Sequence, residues 1–161
     1  MLSNTMLFSS MMLLGAEASF RRGSCPDWTR QQNFDLDAYY GNWYEAVRDY
    51  GTTFEIAAKC VTANYSENDD GTSRVRNNAY YSLLGWSGKT AVAYDIGVDG
   101  GLYVSFSGKT PNDNTTANYN VISTDYTNYS IVYSCTDYRF FAYELLWVLS
   151  REPVIADDVL R

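Results

Sequence analysis

Apolar and polar residues alternate along most of this chain, and turn-forming residues interrupt the alternation at short intervals. A period of two marks half-buried strands, because successive side chains leave a strand on opposite faces. Eight such segments can be read: Gly41 to Tyr50, Ala58 to Glu67, Ser73 to Leu83, Lys89 to Ile96, Leu102 to Ser107, Tyr119 to Thr124, Tyr129 to Thr136 and Tyr143 to Ser150. Asn68-Asp69-Asp70-Gly71 and Asp99-Gly100-Gly101 supply hairpin turns, Gly85 a break, and Lys109 to Asn118 a polar loop. Asp35 can cap one helical turn before Gly41, and Phe20 to Gln32 reads as polar and irregular. Ile155 to Arg161 is predicted to begin a helix, with Asp157 and Asp158 in its early turn. The pattern is all-β, and it fits an antiparallel up-and-down barrel or a sandwich; alternation alone does not choose between them.

The first residues change the picture of the compartment. Met6 to Leu14 is a short apolar run, and Ala16-Glu17-Ala18 fits a small-x-small cleavage pattern with Ser19 as the mature start. Residues 1–18 are therefore predicted to be a secretory signal peptide and residues 19–161 one domain. The run is far shorter than the roughly 20 residues a membrane span needs, so no stable membrane insertion is expected. In an oxidising compartment the three cysteines, Cys25, Cys60 and Cys135, leave one unpaired or paired outside the chain. Asn64, Asn114 and Asn128 head N-x-[ST] sequons and become candidate glycosylation sites.

Charge and composition exclude several classes. The net charge is -7, which argues against nucleic acid as a partner. There are no histidines, which removes histidine-based nucleophilic catalysis and the usual histidine ligands of zinc or haem. The pairs Asp69-Asp70 and Asp157-Asp158 are explained by a turn and a helix start. No phosphate loop or paired-cysteine metal motif is present. No enzyme, metal or cofactor is predicted.

Three motifs choose between barrel and sandwich. Gly41-Asn42-Trp43-Tyr44 opens the first strand, Thr124-Asp125-Tyr126 precedes the strand that holds Cys135, and Leu146 to Arg151 ends the last strand. In this order and spacing they resemble the signatures of the lipocalins, over Asn33 to Pro153, and most of all the apolipoprotein-D-like members, including arthropod bilin- and carotenoid-binding proteins. The resemblance implies an eight-stranded antiparallel up-and-down barrel that holds one small ligand. It implies structural roles for Gly41, Trp43, Asp125, Tyr126 and Arg151, with the arginine packed across Trp43. It implies a Cys25–Cys135 disulfide and leaves Cys60 for a cysteine in a C-terminal extension beyond Arg161. On that reading the C-terminal helix is truncated and the domain incomplete. The competing reading is a naturally short variant with a free thiol.

Strand phase then selects the interior. Placing Cys60 and the Asn64 sequon outside turns Val61, Ala63 and Tyr65 inward. Arg151 over an inward Trp43 turns Leu145, Trp147 and Leu149 inward. Val75, Asn77, Ala79 and Tyr81 form the expected inner face of the third strand, and Leu102, Val104 and Phe106 alternate on the fifth. Tyr119, Val121 and Ser123 are expected inward if Thr124 points out. The fourth strand is open between Val92-Tyr94-Ile96 and Ala91-Ala93-Asp95. The predicted ligand-binding residues are Tyr65, Asn77, Phe106, Tyr119, Trp147 and Leu149, an apolar and aromatic set with a few polar tips. The expected function is a secreted carrier of a small hydrophobic molecule: a fatty acid, retinoid, steroid, carotenoid or bilin. The alternative is a secreted inhibitor or scavenger that works through its loops, with Lys109 to Asn118 as the candidate surface.

Overall fold

The computed structural model describes residues 20–48, 57–112 and 116–156. The signal-peptide segment 1–18, the sequon at Asn114 and residues 157–161 lie outside the described residues.

Eight strands close into an antiparallel barrel: β2 (Gly41–Arg48), β3 (Ala58–Glu67), β4 (Ser73–Tyr81), β5 (Gly85–Val98), β6 (Gly101–Ser105), β7 (Tyr119–Thr124), β8 (Tyr129–Asp137) and β9 (Phe141–Ser150). Each pairs with the next, and β9 closes the ring by pairing with β8 on one side and β2 on the other. Closure leaves few unpaired edges, which is how a sheet of this size avoids aggregation. One helical turn, α1 (Leu36–Tyr39), precedes β2 and is capped as expected: the Asp35 carboxylate accepts from the Ala38 N–H.

Up-and-down connectivity sorts the turns onto two ends. α1 and the turns at 68–72, 99–100 and 125–128 share one end, the floor. The turns at 82–84 and 138–140 and the connection between β6 and β7 share the other, the mouth. The N-terminal segment runs down the outside. β1 (Phe20–Arg22) pairs with Phe141–Tyr143 near the mouth, so the start of this segment is a strand and not the irregular stretch its polarity suggested. A three-residue edge strand carries too little pattern to be read from sequence. Cys25 is bonded to Cys135, closing a loop of 110 residues. Farther along, the Gln31 N–H donates to the Val121 carbonyl, and the Asn33 N–H to Asp99.

The core fills the floor half: Tyr39, Trp43, Tyr65, Val75, Ala91, Ala93, Leu102, Val121, Val132 and Leu149. Ala91 and Ala93 are the inward pair of β5, which settles the phase left open there: Ala91 pairs with Val75 and Ala93 with Val104, and both alanines are buried in the core. Among the described residues, four bulges or register shifts displace the simple alternation. One lies between Val121 and Ser123 of β7 and pairs Ser123 with Ile131 and Thr124 with Ser130. Ser123 therefore faces outward, where its hydroxyl meets the Tyr129 phenol, and Thr124 is the inward residue. This reverses the expected phase, because one extra residue flips every side chain after it. A second bulge lies between Lys59 and Thr62. It holds Cys60 at a φ of 51°, exposed and free. The expected pairing of Cys60 with a cysteine beyond the chain is thus not a feature of this structure, whose disulfide is the internal Cys25–Cys135. A third lies between Glu45 and Val47, and a fourth between Asp95 and Val98, near the floor end of β5. After β9, residues 151–156 are bends and coil, so the described part of the predicted C-terminal helix is not helical.

Candidate ligand-binding cavity

Arginine and tryptophan close the floor. Trp43 is fully buried, its indole N–H donates to the Tyr39 carbonyl, and the Arg151 guanidinium lies 3.7 Å from its ring centroid. Arg151 also donates to the carbonyls of Tyr126, Asn42, Ala38 and Tyr39. One side chain thereby ties together α1, β2 and the turn after β7. Gly41 is required beside it: its φ is +103°, and a Cβ there would stand 3.2 Å from an Arg151 nitrogen. Asp125 holds the turn by accepting from the N–H groups of Thr127, Asn128 and Tyr129. Desolvation would raise its pKa, but the Asn128 side-chain amide, together with these backbone N–H groups, holds the carboxyl below the usual range.

Above the tryptophan sits a chain of phenols. The Tyr39 hydroxyl is 2.9 Å from both the Ser130 and the Tyr119 hydroxyls, and the Tyr65 hydroxyl donates to that of Tyr119 at 2.8 Å. Burial pushes the Tyr39 phenol up to about 12, against the opposing hydrogen bonds of Ser130 and Tyr119. Burial raises Tyr65 and Tyr119 well above 10 as well. All three are neutral at physiological pH. Tyr65 and Tyr119, whose polar tips were expected to meet a ligand, have their hydroxyls bonded to one another, and Tyr119 is bonded to Tyr39 as well.

The barrel hollows out above this cluster. A cavity of about 310 Å³ rises from Tyr65, Tyr119 and Val132 to Phe106, Thr136 and Val61 near the mouth. All six residues expected to meet a ligand line it: Tyr65 from β3, Asn77 from β4, Tyr119 from β7, Trp147 and Leu149 from β9, and Phe106 just past β6. Phe106 is more than half exposed, at the rim. The Asn77 side-chain oxygen is buried with no hydrogen-bond partner. Asn118, also lining the cavity, is fully used: its amide accepts from the Val104 N–H and donates to the Val104 carbonyl.

Sequence reasoning missed Glu45 among the lining residues, as it did Val132, Ser134 and Thr136 of β8, whose phase it never assigned. Glu45 follows Trp43 by two and faces inward, its carboxylate 3.0 Å from Arg48 Nη1. Arg48 Nη2 in turn donates to the Ala58 carbonyl. A charged residue two past an inward tryptophan was a readable cue. What hid the pair is the bulge, which turns Arg48 toward the register of Trp147. No lysine or arginine lines the cavity among the described residues. Of the sequons, Asn64 sits on β3 with its amide donating to Asn42, and Asn128 sits in the floor turn, donating to Asp125.

A closed eight-stranded antiparallel barrel with a floor tryptophan under an arginine and one internal cavity defines the class of a small-ligand-binding barrel protein. Residues 34–161 match the family model described as "Lipocalin-like domain", and the chain belongs to the lipocalin family. Within it the chain stands with the apolipoprotein-D-like and arthropod lipocalins. It is 33% identical to apolipoprotein D of Cavia porcellus over 161 residues, covering 96% of this chain and 82% of that protein. It is 32% identical to the Lazarillo protein of Schistocerca americana over 149 residues, covering 89% and 68%. Among solved structures it resembles lobster apocrustacyanin A1, with a TM-score of 0.70 and 21% identity over 88% of this chain and 78% of that one. It also resembles the cockroach allergen Per a 4, with a TM-score of 0.65 and 26% identity over 84% and 80%.

Proposed function

We propose that this chain is a secreted carrier, not an enzyme, and that its barrel takes up a small, uncharged, largely apolar molecule bearing one hydrogen-bonding group. The observation that carries this is the cavity of about 310 Å³ whose wall is apolar and aromatic but includes an amide, Asn77. Such volumes lie at the small end of ligand pockets, about 300–1,000 Å³. A retinoid or a steroid suits that size. A carotenoid or a bilin is larger and would protrude through the mouth. Glu45, the one charged residue of the lining, is already paired with Arg48 3.0 Å away, and no lysine or arginine lines the wall among the described residues, so a buried fatty-acid carboxylate would find no cation in the wall to offset its desolvation. Secretion rests on the N-terminal apolar run and small-x-small site, and on the disulfide, which belongs to oxidising compartments.

Titration with retinol and with palmitate, followed by tryptophan fluorescence, tests the reading. Retinol is expected to quench or shift emission and palmitate to bind more weakly. Trp147→Ala should weaken retinol binding about tenfold, equivalent to about 1.4 kcal/mol, with the barrel still folded by circular dichroism. Unchanged affinity in that variant would remove the ligand from the cavity.

A further inference from the structure

A second hollow lies outside the barrel, under the N-terminal segment. Residues 25–31 cross the outer face of β7 and β8 and are tied down at both ends. Cys25 is bonded to Cys135 of β8, and the Gln31 N–H donates to the Val121 carbonyl of β7. The chain bridges between these two fixed points, and the space beneath it is a crevice of about 110 Å³, against about 310 Å³ for the barrel cavity. Tyr119 and Val132 line the barrel cavity, so their strand neighbours Asn120 and Tyr133 point the other way and form the inner wall of the crevice. One thickness of sheet separates the two spaces.

The crevice joins an aromatic slot to a fixed cation. Trp28 of the bridging segment and Tyr133 of β8 bring their rings to 5.8 Å between centroids, with 60° between the planes. The Tyr133 hydroxyl is committed, donating to Glu144, which also meets Arg21 at 3.5 Å. Trp28 stays 51% exposed, an indole held at the edge of a hollow and not packed into the core. Arg30 lines the same crevice. Its Nε donates to the Asn120 side-chain oxygen at 2.6 Å, and the Asn120 amide donates in turn to the Tyr133 carbonyl at 3.1 Å. Asn120 is only 8% exposed, so the guanidinium is fixed from a buried anchor. Its terminal N–H groups are left over: among the described residues no carboxylate makes an ion pair with Arg30. Asp27, the one acid of the lining, is exposed and is not such a partner. A guanidinium anchored in this way without a counter-charge is available to a small anion.

We propose that this crevice is a second binding site, independent of the barrel, for a small planar carboxylate of about the size of benzoate. The carboxylate pairs with the terminal N–H groups of Arg30, and the ring lies in the slot beside Trp28 and the disulfide. The chemistry selects each part. A guanidinium whose Nε is already bonded still offers its two terminal nitrogens as a fork that matches a carboxylate. The indole and the disulfide give apolar contact to a flat ring. Drug-sized ligands need about 300–1,000 Å³, so the crevice admits one ring and one short substituent. Nothing in this depends on what the barrel carries, since no residue lines both spaces.

The test is a titration of the full chain with benzoate, followed by nuclear magnetic resonance at the tryptophan indole N–H groups and the Arg30 Nε–H. Saturable shifts are expected at Trp28 and Arg30, with Trp147, inside the barrel, unmoved. Benzyl alcohol has the ring without the charge, and acetate the charge without the ring. Each should bind about tenfold more weakly than benzoate, or worse. Arg30→Gln should lose about tenfold or more in benzoate affinity. The comparison of the three small molecules uses the unaltered chain, so it decides the matter even if Arg30→Gln fails to fold. Shifts at Trp147 in place of Trp28 would put benzoate in the barrel and overturn the site. So would no response, a linear response that never saturates, equal binding of benzyl alcohol or acetate, or full affinity in a folded Arg30→Gln variant.

Discussion

The floor and the mouth of this barrel are built from the same strands, yet they treat polar atoms in opposite ways. At the floor, the Trp43 indole, the phenols of Tyr39, Tyr65 and Tyr119, the Ser130 hydroxyl and the Arg151 guanidinium are joined in one bonded cluster. Toward the mouth the interior is hollow, an asparagine oxygen is left without a partner, and apolar side chains stand in solvent. A cluster that satisfies itself needs nothing further and acts as foundation. Unmet polar capacity and uncovered apolar surface mark where a second molecule would contribute. The difference teaches where stability and function separate in a barrel of this kind. It also corrects a simple rule, since polar tips pointing into a barrel do not by themselves announce a ligand: Tyr65 and Tyr119 do not need one, whereas Asn77 remains available.

That contrast can be broken by substitution. Trp43→Ala is the largest expected effect. It removes a fully buried indole and the surface on which Arg151 rests, and should cost about 3–5 kcal/mol, read as a lowered midpoint in urea. A cost near that of an exposed residue would mean the floor is not the foundation.

Next comes the disulfide. Cys25→Ser/Cys135→Ser frees the N-terminal segment from β8 and opens a loop of 110 residues. A loss of about 2–4 kcal/mol is expected. The floor core should keep its hydrogen-exchange protection relative to the mouth-end strands, because the bond ties the outer segment above the level of Trp43. Uniform loss of protection over both ends would merge the two regions into one cooperative unit.

Alkali sharpens the comparison from the other side. Tyr39 has a folded-state pKa of about 12, against about 10 for a free phenol. Between those values the unfolded chain releases a proton that the folded chain keeps. Its contribution, on the order of 2–3 kcal/mol, is therefore whole below pH 10 and lost as pH rises through about 12. Tyr65 and Tyr119 shift in the same direction and add to the loss. A urea midpoint that holds steady from pH 9 to pH 12 would contradict the sealed phenol cluster, while Tyr39→Phe should flatten the profile at a cost of about 1 kcal/mol near neutrality.

Much of the barrel was legible in the sequence, because the physics that sets it is local. Period-two alternation places side chains on two faces, glycine and aspartate make turns, and these marked eight strands within a few residues of their true ends. Trp147 and Leu149 could be named because their phase runs undisturbed from Arg151, and Tyr65 because the Asn64 sequon lies beside it; Tyr119 was turned inward from an outward Thr124, and the bulge between Val121 and Ser123 cancelled that error. What the tertiary structure alone decided lies at the bulges and in the partners. An extra residue in one strand leaves no mark in a hydrophobic pattern, since it depends on how twist and register are shared with the neighbouring strand. Ser123 was therefore turned the wrong way and the Glu45–Arg48 pair went unseen. Whether a buried hydroxyl is met depends on atoms far apart in sequence: Tyr39 finds Ser130 across 91 residues. Only a closed ring of strands brings them within 2.9 Å, and only that closure separates a satisfied floor from an open mouth.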